Sequence, residues 1–244
     1  MSSFGKTLHA RPQKVDELLG SQLMSSLDKL DVVARKIFSG KIQGERRSRR
    51  RGSSVEFADY RQYTAGDDLR FIDWNVYARL DRLFMKIFLE EEELTLGLAI
   101  DASASMEYGN PNKFGFARRL AMALGYIALS SHNKVSLFGF NSDGLQRQTG
   151  LRGKRRTRDM GEWLLELQSK GGTSFVEACK IISTSRQGRG VLVVLSDCLE
   201  EEGMKQGLSY LVGGGWDVFI IQTLAPEEIA PLEHGLEGDL KLLD

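Results

Sequence analysis

The stretch that decides the fold is LTLGLAIDASAS, residues 94–105, in which a short apolar run ends in an aspartate and two spaced serines. An apolar run of this length, bounded by polar residues, is typical of a strand that is buried on both faces. A helical pattern follows over 113–130, where Phe116, Leu120 and Leu124 share one face. A buried strand followed by such a helix is the usual building unit of a parallel sheet covered on both sides.

The same alternation of strand and helix patterns continues along the chain. Strands are predicted over 135–140, 145–149, 191–196 and 216–224, and helices over 156–167, 175–185 and 201–212. The turn sequence NSDG at 141–144 predicts that the first two of these strands form an antiparallel hairpin at an edge. We therefore expect an α/β fold with a wound, mostly parallel sheet of the Rossmann type and helices on both faces.

Residues 1–93 do not follow this alternation, and we expect them to form an N-terminal appendage of helix and short strand. Apolar residues at helical spacing over 15–38 predict an amphipathic helix or a pair of helices. The basic run Arg46–Arg51 predicts an exposed loop, and LFMKIFLEE at 83–91 predicts a strand. The α/β domain is assigned to 94–244. Its last residues, GDLKLLD, resemble the start of another strand, which suggests that the native chain continues.

Composition narrows the class of protein. The chain has 244 residues, enough for one α/β domain and a smaller attachment. Lys and Arg together number 33, as do Asp and Glu, so the net charge favours neither nucleic acid nor an anionic membrane. Cys179 and Cys198 form no Cys-x-x-Cys pair. The sequence contains no apolar run of signal-peptide or membrane-span type, so we expect a cytoplasmic protein.

Oxygen-bearing side chains collect at the predicted strand ends. In a wound sheet, ligands bind at the carboxyl ends of strands where the strand order reverses, and we expect the strands ending at Ile100 and Ser196 to be neighbours there. Asp101 and Asp197 directly follow these two strands. These two aspartates are therefore the first candidates for a binding site.

Three hydroxyl groups complete the candidate site. Ser103 and Ser105 alternate with small alanines, so both can turn to one side of the loop, and Thr173 follows two flexible glycines. Carboxylate and hydroxyl oxygens suit a hard cation with about six ligands. The predicted metal ligands are Asp101, Ser103, Ser105, Thr173 and Asp197, with Mg2+ as the expected ion and Mn2+ or Ca2+ as alternatives. Because the set has only two formal charges, an acidic residue of a partner protein could complete the shell.

These residues resemble a known family. The DASAS sequence after an apolar strand, the Gly-Gly-Thr sequence and the later aspartate are together similar to the metal-ion-dependent adhesion site of von Willebrand factor A domains. Within 45–80, the segment RGSSVEFADYRQYTAGDDLRFIDWNVYAR at 51–79 resembles the signature of the bacterial "domain of unknown function 58" family. Its charged and aromatic residues are expected to form a structural network, or else a partner surface: Arg61, Asp67, Arg70, Asp73, Trp74 and Arg79.

The resemblance implies a function as well as a fold. It implies a von Willebrand factor A-like domain behind a family-specific N-terminal segment, encoded in many bacteria beside an AAA+ ATPase of the MoxR type. By analogy, the chain would be a non-enzymatic, metal-dependent protein-binding module that acts as an adaptor of this ATPase. The partner would be the ATPase itself or its client, and it would offer an acidic residue to the metal.

Two other classes of function stay open. A metal-assisted hydrolase could use Asp101, with Glu107 or Glu200 as a base, although Ser103 stands where an aspartyl-nucleophile phosphatase would carry a second carboxylate. The run Arg46–Arg51, together with the basic residues of 154–158, could bind phosphates of a nucleic acid. No pattern of stacking aromatic residues accompanies these cations, which makes this alternative less favoured.

Overall fold

The structure is a computed structural model, and it describes residues 12–20, 23–27, 55–90, 94–185, 190–199 and 203–234. The described residues fall into two compact units. Residues 55–90 form the smaller unit, and the other described ranges form the larger one. The basic run 46–51, most of the predicted helix after residue 27 and the predicted last strand at 238–244 lie outside the described residues.

The secondary structure follows the predicted order. The strands are β1 (Val55–Gln62), β2 (Phe84–Glu90), β3 (Thr95–Asp101), β4 (Lys134–Asn141), β5 (Gly144–Arg152), β6 (Gly190–Ser196) and β7 (Trp216–Gln222). The α-helices are α1 (Val15–Leu18), α2 (Trp74–Leu80), α3 (Lys113–Ser130), α4 (Thr157–Glu166), α5 (Phe175–Thr184), α6 (Met204–Gly213) and α7 (Pro226–Ile229). A further helical turn covers 23–27.

The larger unit contains a five-stranded sheet with the order β5-β4-β3-β6-β7. Strand β3 is central and parallel to both β4 and β6, and β7 is parallel to β6. Strand β5 runs antiparallel to β4 at the edge, as the NSDG turn predicts. The predicted fold class, a wound and mostly parallel α/β sheet, is confirmed.

The sheet is buried on both faces because its central strands carry apolar side chains on both faces. Side chains of a strand alternate between the two faces. Leu98 and Ile100 pack into the core on one face, with residues of α3 and α4. Ala99 packs into the core on the opposite face, with Phe175 of α5 and Leu211 of α6. The continuous apolar run in β3 is therefore explained by helices on both sides.

The described N-terminal residues belong to the larger unit and pack into its core. Leu18, Leu19 and Leu27 are buried in the same core as α3 and α4. Gly161 of α4 makes room for this segment, since a Cβ built there would lie 2.6 Å from a methyl carbon of Val15. The sequence grouped residues 1–93 as one appendage, whereas the structure places the apolar face of the N-terminal segment in the core of the sheet unit.

The smaller unit is an antiparallel hairpin of β1 and β2 with α2 in the connection. Asp73 caps α2, because its carboxylate accepts hydrogen bonds from the backbone N–H groups of Asn75 and Val76. Asp81 ends the helix in the left-handed conformation, with φ of 50°. Across the described ranges, no helix has both the length and the apolar character needed to cross a bilayer.

Candidate metal site at the carboxyl ends of β3 and β6

Two strand ends that are far apart in sequence meet at the centre of the sheet. Ile100 of β3 is paired with Leu195 of β6, so Asp101 and Ser196 end neighbouring parallel strands. Strand β4 lies on one side of β3 and strand β6 lies on the other. The strand order therefore reverses at β3, which makes this end of the sheet a topological switch point. The predicted neighbours are thus neighbours in the structure.

The Asp101 carboxylate accepts two hydrogen bonds, and both come from neutral donors. Its Oδ1 accepts from the backbone N–H of Ser103 at 2.9 Å, and its Oδ2 accepts from the hydroxyl of Ser196 at 2.6 Å. The Ser103 hydroxyl also favours the charged carboxylate. Burial nevertheless raises the pKa of Asp101 above its ordinary value, and the negative charge of Asp197 adds to this effect. A cation at this point would favour the carboxylate form.

The two serines of the DASAS sequence lie together. The Ser103 and Ser105 hydroxyl oxygens are 3.0 Å apart. The intervening alanines anchor the loop through their backbones, since the N–H of Ala102 donates to the carbonyl oxygen of Phe140 and that of Ala104 donates to Gly171. These two bonds tie the DASAS loop to the end of β4 and to the loop that carries Gly171.

Thr173 lies on a loop that is bonded to the loop of Asp101. Besides the bond between Ala104 and Gly171, the N–H of Lys170 donates to the carbonyl oxygen of Ala102 at 2.9 Å. Thr173 and Asp101 line the same small cleft, together with Phe175, Ser196, Cys198 and Met204. The Thr173 hydroxyl oxygen is buried and has no hydrogen-bond partner in the described part of the chain. A buried hydroxyl without a protein partner is unusual, and its oxygen atom would suit a hard cation.

Asp197 has a different environment, because a cation from the chain already contacts it. Its Oδ2 accepts from the ammonium group of Lys113 at 3.0 Å, and both side chains are almost fully buried, with 1% of Lys113 and 3% of Asp197 exposed. The same ammonium group contacts Oε1 of Glu228 at 2.6 Å. The two aspartates of the candidate site are therefore not equivalent.

The donor set fits a hard divalent cation. Asp101, Ser103, Ser105 and Thr173 offer oxygen atoms only, which magnesium and manganese prefer over softer ligands. No group of three His, Cys, Asp or Glu residues that could hold a metal occurs among the described residues. An ion at this site would depend on hydroxyl ligands, and the Thr173 hydroxyl is available for that purpose.

Sequence reasoning missed three residues of this site. Ser196 ends a strand beside an aspartate, so its position was a usable signal. Lys113 and Glu228 had no local signal, because Lys113 meets Asp197 and Glu228 across 84 and 115 positions of sequence. Cys198, interpreted from sequence as a small buried hydrophobic residue, is only partly buried and lines the cleft in the left-handed conformation, with φ of 58°. Burial raises the pKa of its thiol.

The residues of the signature segment form ion pairs and hydrogen bonds within the smaller unit. Arg61 pairs with Asp67 at 2.8 Å, and Arg70 pairs with Asp68 at 2.7 Å. The Asp73 carboxylate accepts from the hydroxyl of Tyr60 and the ammonium group of Lys86. Two other signature residues, Trp74 and Arg79, lie at the surface, and 60% of Trp74 is exposed.

The residues that the two alternative functions would use either bond to neighbouring side chains or lie outside the described residues. The Glu107 carboxylate accepts from the side chains of Ser169 and Asn112, so it is not directed at Asp101 as a free base. Glu200 and the run 46–51 lie outside the described residues. Within the basic stretch 154–158, Arg156 and Arg158 pair with acidic residues of α4.

The fold and the site together define a wound α/β domain with a candidate cation site at its switch point. A model of the family described as "Protein of unknown function DUF58" matches residues 59–236. The chain belongs to this family, as its signature segment predicts. It is 24% identical over 228 residues to the uncharacterized protein Rv1480 of Mycobacterium tuberculosis (strain ATCC 25618 / H37Rv), covering 91% of this chain and 71% of that protein. The uncharacterized protein Mb1516 of Mycobacterium bovis matches to the same extent.

Similar solved structures were also found. An aerotolerance-related membrane protein of Bacteroides fragilis matches 53% of this chain and 67% of its own, with 19% identity and a TM-score of 0.46. The manganese-loaded TRAP protein of Plasmodium vivax matches 62% and 65%, with 16% identity and a TM-score of 0.42. The SpRpn10 VWA domain matches 58% and 94%, with 15% identity and a TM-score of 0.36.

Proposed function

We propose that this protein is a non-enzymatic, metal-dependent protein-binding module. The observation that carries the proposal is the buried Thr173 hydroxyl without a partner, in the same cleft as the Asp101 carboxylate. Asp101, Ser103, Ser105 and Thr173 would hold a divalent ion, with Mg2+ expected and Mn2+ or Ca2+ as alternatives. Asp197 would take part directly or through water. When bound, the ion would supply positive charge for a carboxylate of the partner.

The chain prepares the site before any ligand arrives. Ser196 orients the Asp101 carboxylate by donating to Oδ2, while the backbone of Ser103 holds Oδ1. The bonds of Ala102 and Ala104 to the loop 170–171 fix the distance between the serines and Thr173. This preorganisation lowers the conformational cost of binding, because few side chains need to be reordered.

The same geometry argues against catalysis. A hydrolase would need a base near the metal, and Glu107 is held by Ser169 and Asn112. Ser103, in place of a second carboxylate, cannot act as the general acid of an aspartyl-nucleophile phosphatase.

The finer proposal concerns the partner. Membership of the DUF58 family and the resemblance of the DASAS sequence to an adhesion site support a MoxR-type AAA+ ATPase, or its client, as the protein that offers the acidic residue. Affinity capture with this chain as bait, with and without chelator, tests this proposal. The ATPase should be recovered with Mg2+ present and lost with chelator, and its recovery in equal amounts under both conditions would overturn the metal dependence.

The first experiment is a calorimetric titration of the metal-stripped protein with Mg2+ and Mn2+. The double variant Ser103→Ala/Ser105→Ala should lose saturable binding, because it lacks two of the hydroxyl ligands. The matched control is Ser185→Ala/Ser209→Ala, which removes two hydroxyl groups that bond only to backbone carbonyls of their own helices. Binding that survives in the first variant, or that is absent from the wild type, would contradict the proposed site.

A further inference from the structure

Lys113 is a buried cation beside the candidate metal site. It is the first residue of α3, and its side chain crosses to the end of β6 to reach Asp197. Its ammonium group lies between Oδ2 of Asp197 and Oε1 of Glu228, at 3.0 and 2.6 Å, and 6.0 Å from the ring centre of Tyr108. Lysine is almost never fully buried unless its charge is paired. The two carboxylates therefore explain why this position can hold a lysine.

The ion pair of Lys113 with Asp197 changes the net charge that a metal ion would encounter at this site. Asp101 receives hydrogen bonds from neutral donors only, whereas Asp197 is neutralised by Lys113. Asp101, Asp197 and Lys113 together carry one net negative charge, and Glu228, which contacts Lys113, adds a second. A divalent ion would make this group of charges neutral. Without Lys113, the three carboxylates would leave one net negative charge after the ion has bound.

We propose that Lys113 sets the metal affinity of this site, an inference that rests on the proposed function. It competes with the metal for Asp197, and so weakens metal binding. In exchange, it offsets a negative charge that would repel an acidic group of a partner from the loaded site. Glu228, on α7, moderates this effect because it neutralises part of the charge of Lys113. Lys113 is thus a positioning residue that acts through Asp197.

The proposal predicts opposite changes in two variants. Lys113→Met should bind Mn2+ at least about tenfold more tightly than the wild type, since removing one nearby charge strengthens the attraction of the two carboxylates for the ion. Glu228→Gln, which leaves the charge of Lys113 less compensated, should bind Mn2+ about threefold or more weakly. A lysine with a purely structural role would not produce changes of opposite sign.

The experiment is a calorimetric Mn2+ titration of the metal-stripped wild type, both variants and Asp101→Ala, with circular dichroism to verify folding. If Lys113→Met does not fold, the double variant Lys113→Met/Glu228→Gln replaces it and must bind more tightly than Glu228→Gln alone. Equal affinities in the wild type and the charge variants, with binding lost in Asp101→Ala, would overturn the role of Lys113 and leave the proposed function intact. Binding that appears only after Lys113 is replaced would support this inference and overturn metal binding by the wild type. Failure of every protein to bind would overturn both.

Discussion

Replacing Ser196 by alanine should destabilise the metal-free protein through Asp101. The Ser196 hydroxyl donates to the buried Asp101 carboxylate at 2.6 Å and accepts from the backbone N–H of Cys198 at 3.0 Å. A hydrogen bond to a charged group contributes about 1.5–3 kcal/mol, and a backbone N–H left without a partner adds about 1 kcal/mol. We therefore expect Ser196→Ala to lower the free energy of unfolding by about 2–4 kcal/mol.

The assay is urea denaturation at pH 7 in the presence of chelator. With a slope of about 2 kcal/mol per M, the expected loss corresponds to a midpoint lower by about 1–2 M. The matched control is Ser209→Ala, whose exposed hydroxyl donates only to the carbonyl oxygen of Lys205 in the same helix. This control should change the free energy of unfolding by less than about 0.5 kcal/mol.

A double-mutant cycle identifies the origin of the effect. In an Asp101→Asn background there is no carboxylate charge to lose, so Ser196→Ala should cost only about 1 kcal/mol. Because burial raises the pKa of Asp101, ionisation of this carboxyl opposes folding, and this cost sets in as the pH rises from the ordinary pKa of 3.8 through the raised value. An equal loss of unfolding free energy for Ser196→Ala in the wild-type and Asp101→Asn backgrounds would refute this origin of the effect. A loss below about 0.5 kcal/mol in the wild-type background would refute it as well.

Three further predictions concern other parts of the chain. Burial opposes ionisation of Asp73, but hydrogen bonds, led by those from Lys86 and Tyr60, lower its pKa to about 2 from an ordinary value of 3.8. The stabilisation of α2 by Asp73 should therefore be complete above pH 3.8 and be lost as the pH falls through about 2. The measurement is hydrogen exchange of the amides at the start of the helix. The control is Asp73→Ser, which keeps a helix-capping side chain without a carboxyl group. Leu18→Ala should cost about 2–5 kcal/mol in chemical denaturation, whereas Leu69→Ala, at a side chain that is 57% exposed, should cost almost nothing. Cys198→Gly should lie within about 1 kcal/mol of the wild type because glycine accepts a φ of 58° without strain, while Cys198→Val should destabilise by more than this.

The order of strands and helices could be predicted because each central element has a pattern of its own. Strands β3 and β6 are continuous apolar runs, and α3 carries apolar residues at helical spacing between them. The position of the switch point was predicted from this order together with the usual winding of such sheets, which makes the strands ending at Ile100 and Ser196 neighbours. These inferences depend on local periodicity, which survives without knowledge of tertiary contacts.

The site could be predicted only in part, for a physical reason. The candidate ligands could be predicted because they directly follow strands or flexible glycines. The neighbouring charges could not be predicted, because Lys113 and Glu228 lie on separate helices, and Lys113 contacts Asp197 and Glu228 only in the folded chain. The placement of the N-terminal segment failed for a similar reason: its amphipathic pattern shows that one face is buried, but not which surface covers it.

The two aspartates show why ligand identity alone is insufficient to describe this site. Both are acidic residues at adjacent strand ends, and both are nearly inaccessible to solvent. Asp101 is surrounded by hydroxyl and amide donors, so its charge is stabilised by dipoles alone and burial still raises its pKa. Asp197 has a full opposite charge in contact. A divalent ion would therefore gain most by approaching Asp101, which lines the same cleft as Thr173, whose hydroxyl has no partner among the described residues. In the proposed site, this asymmetry favours Asp101 over Asp197 for direct contact with the ion, because Asp197 is already paired with Lys113.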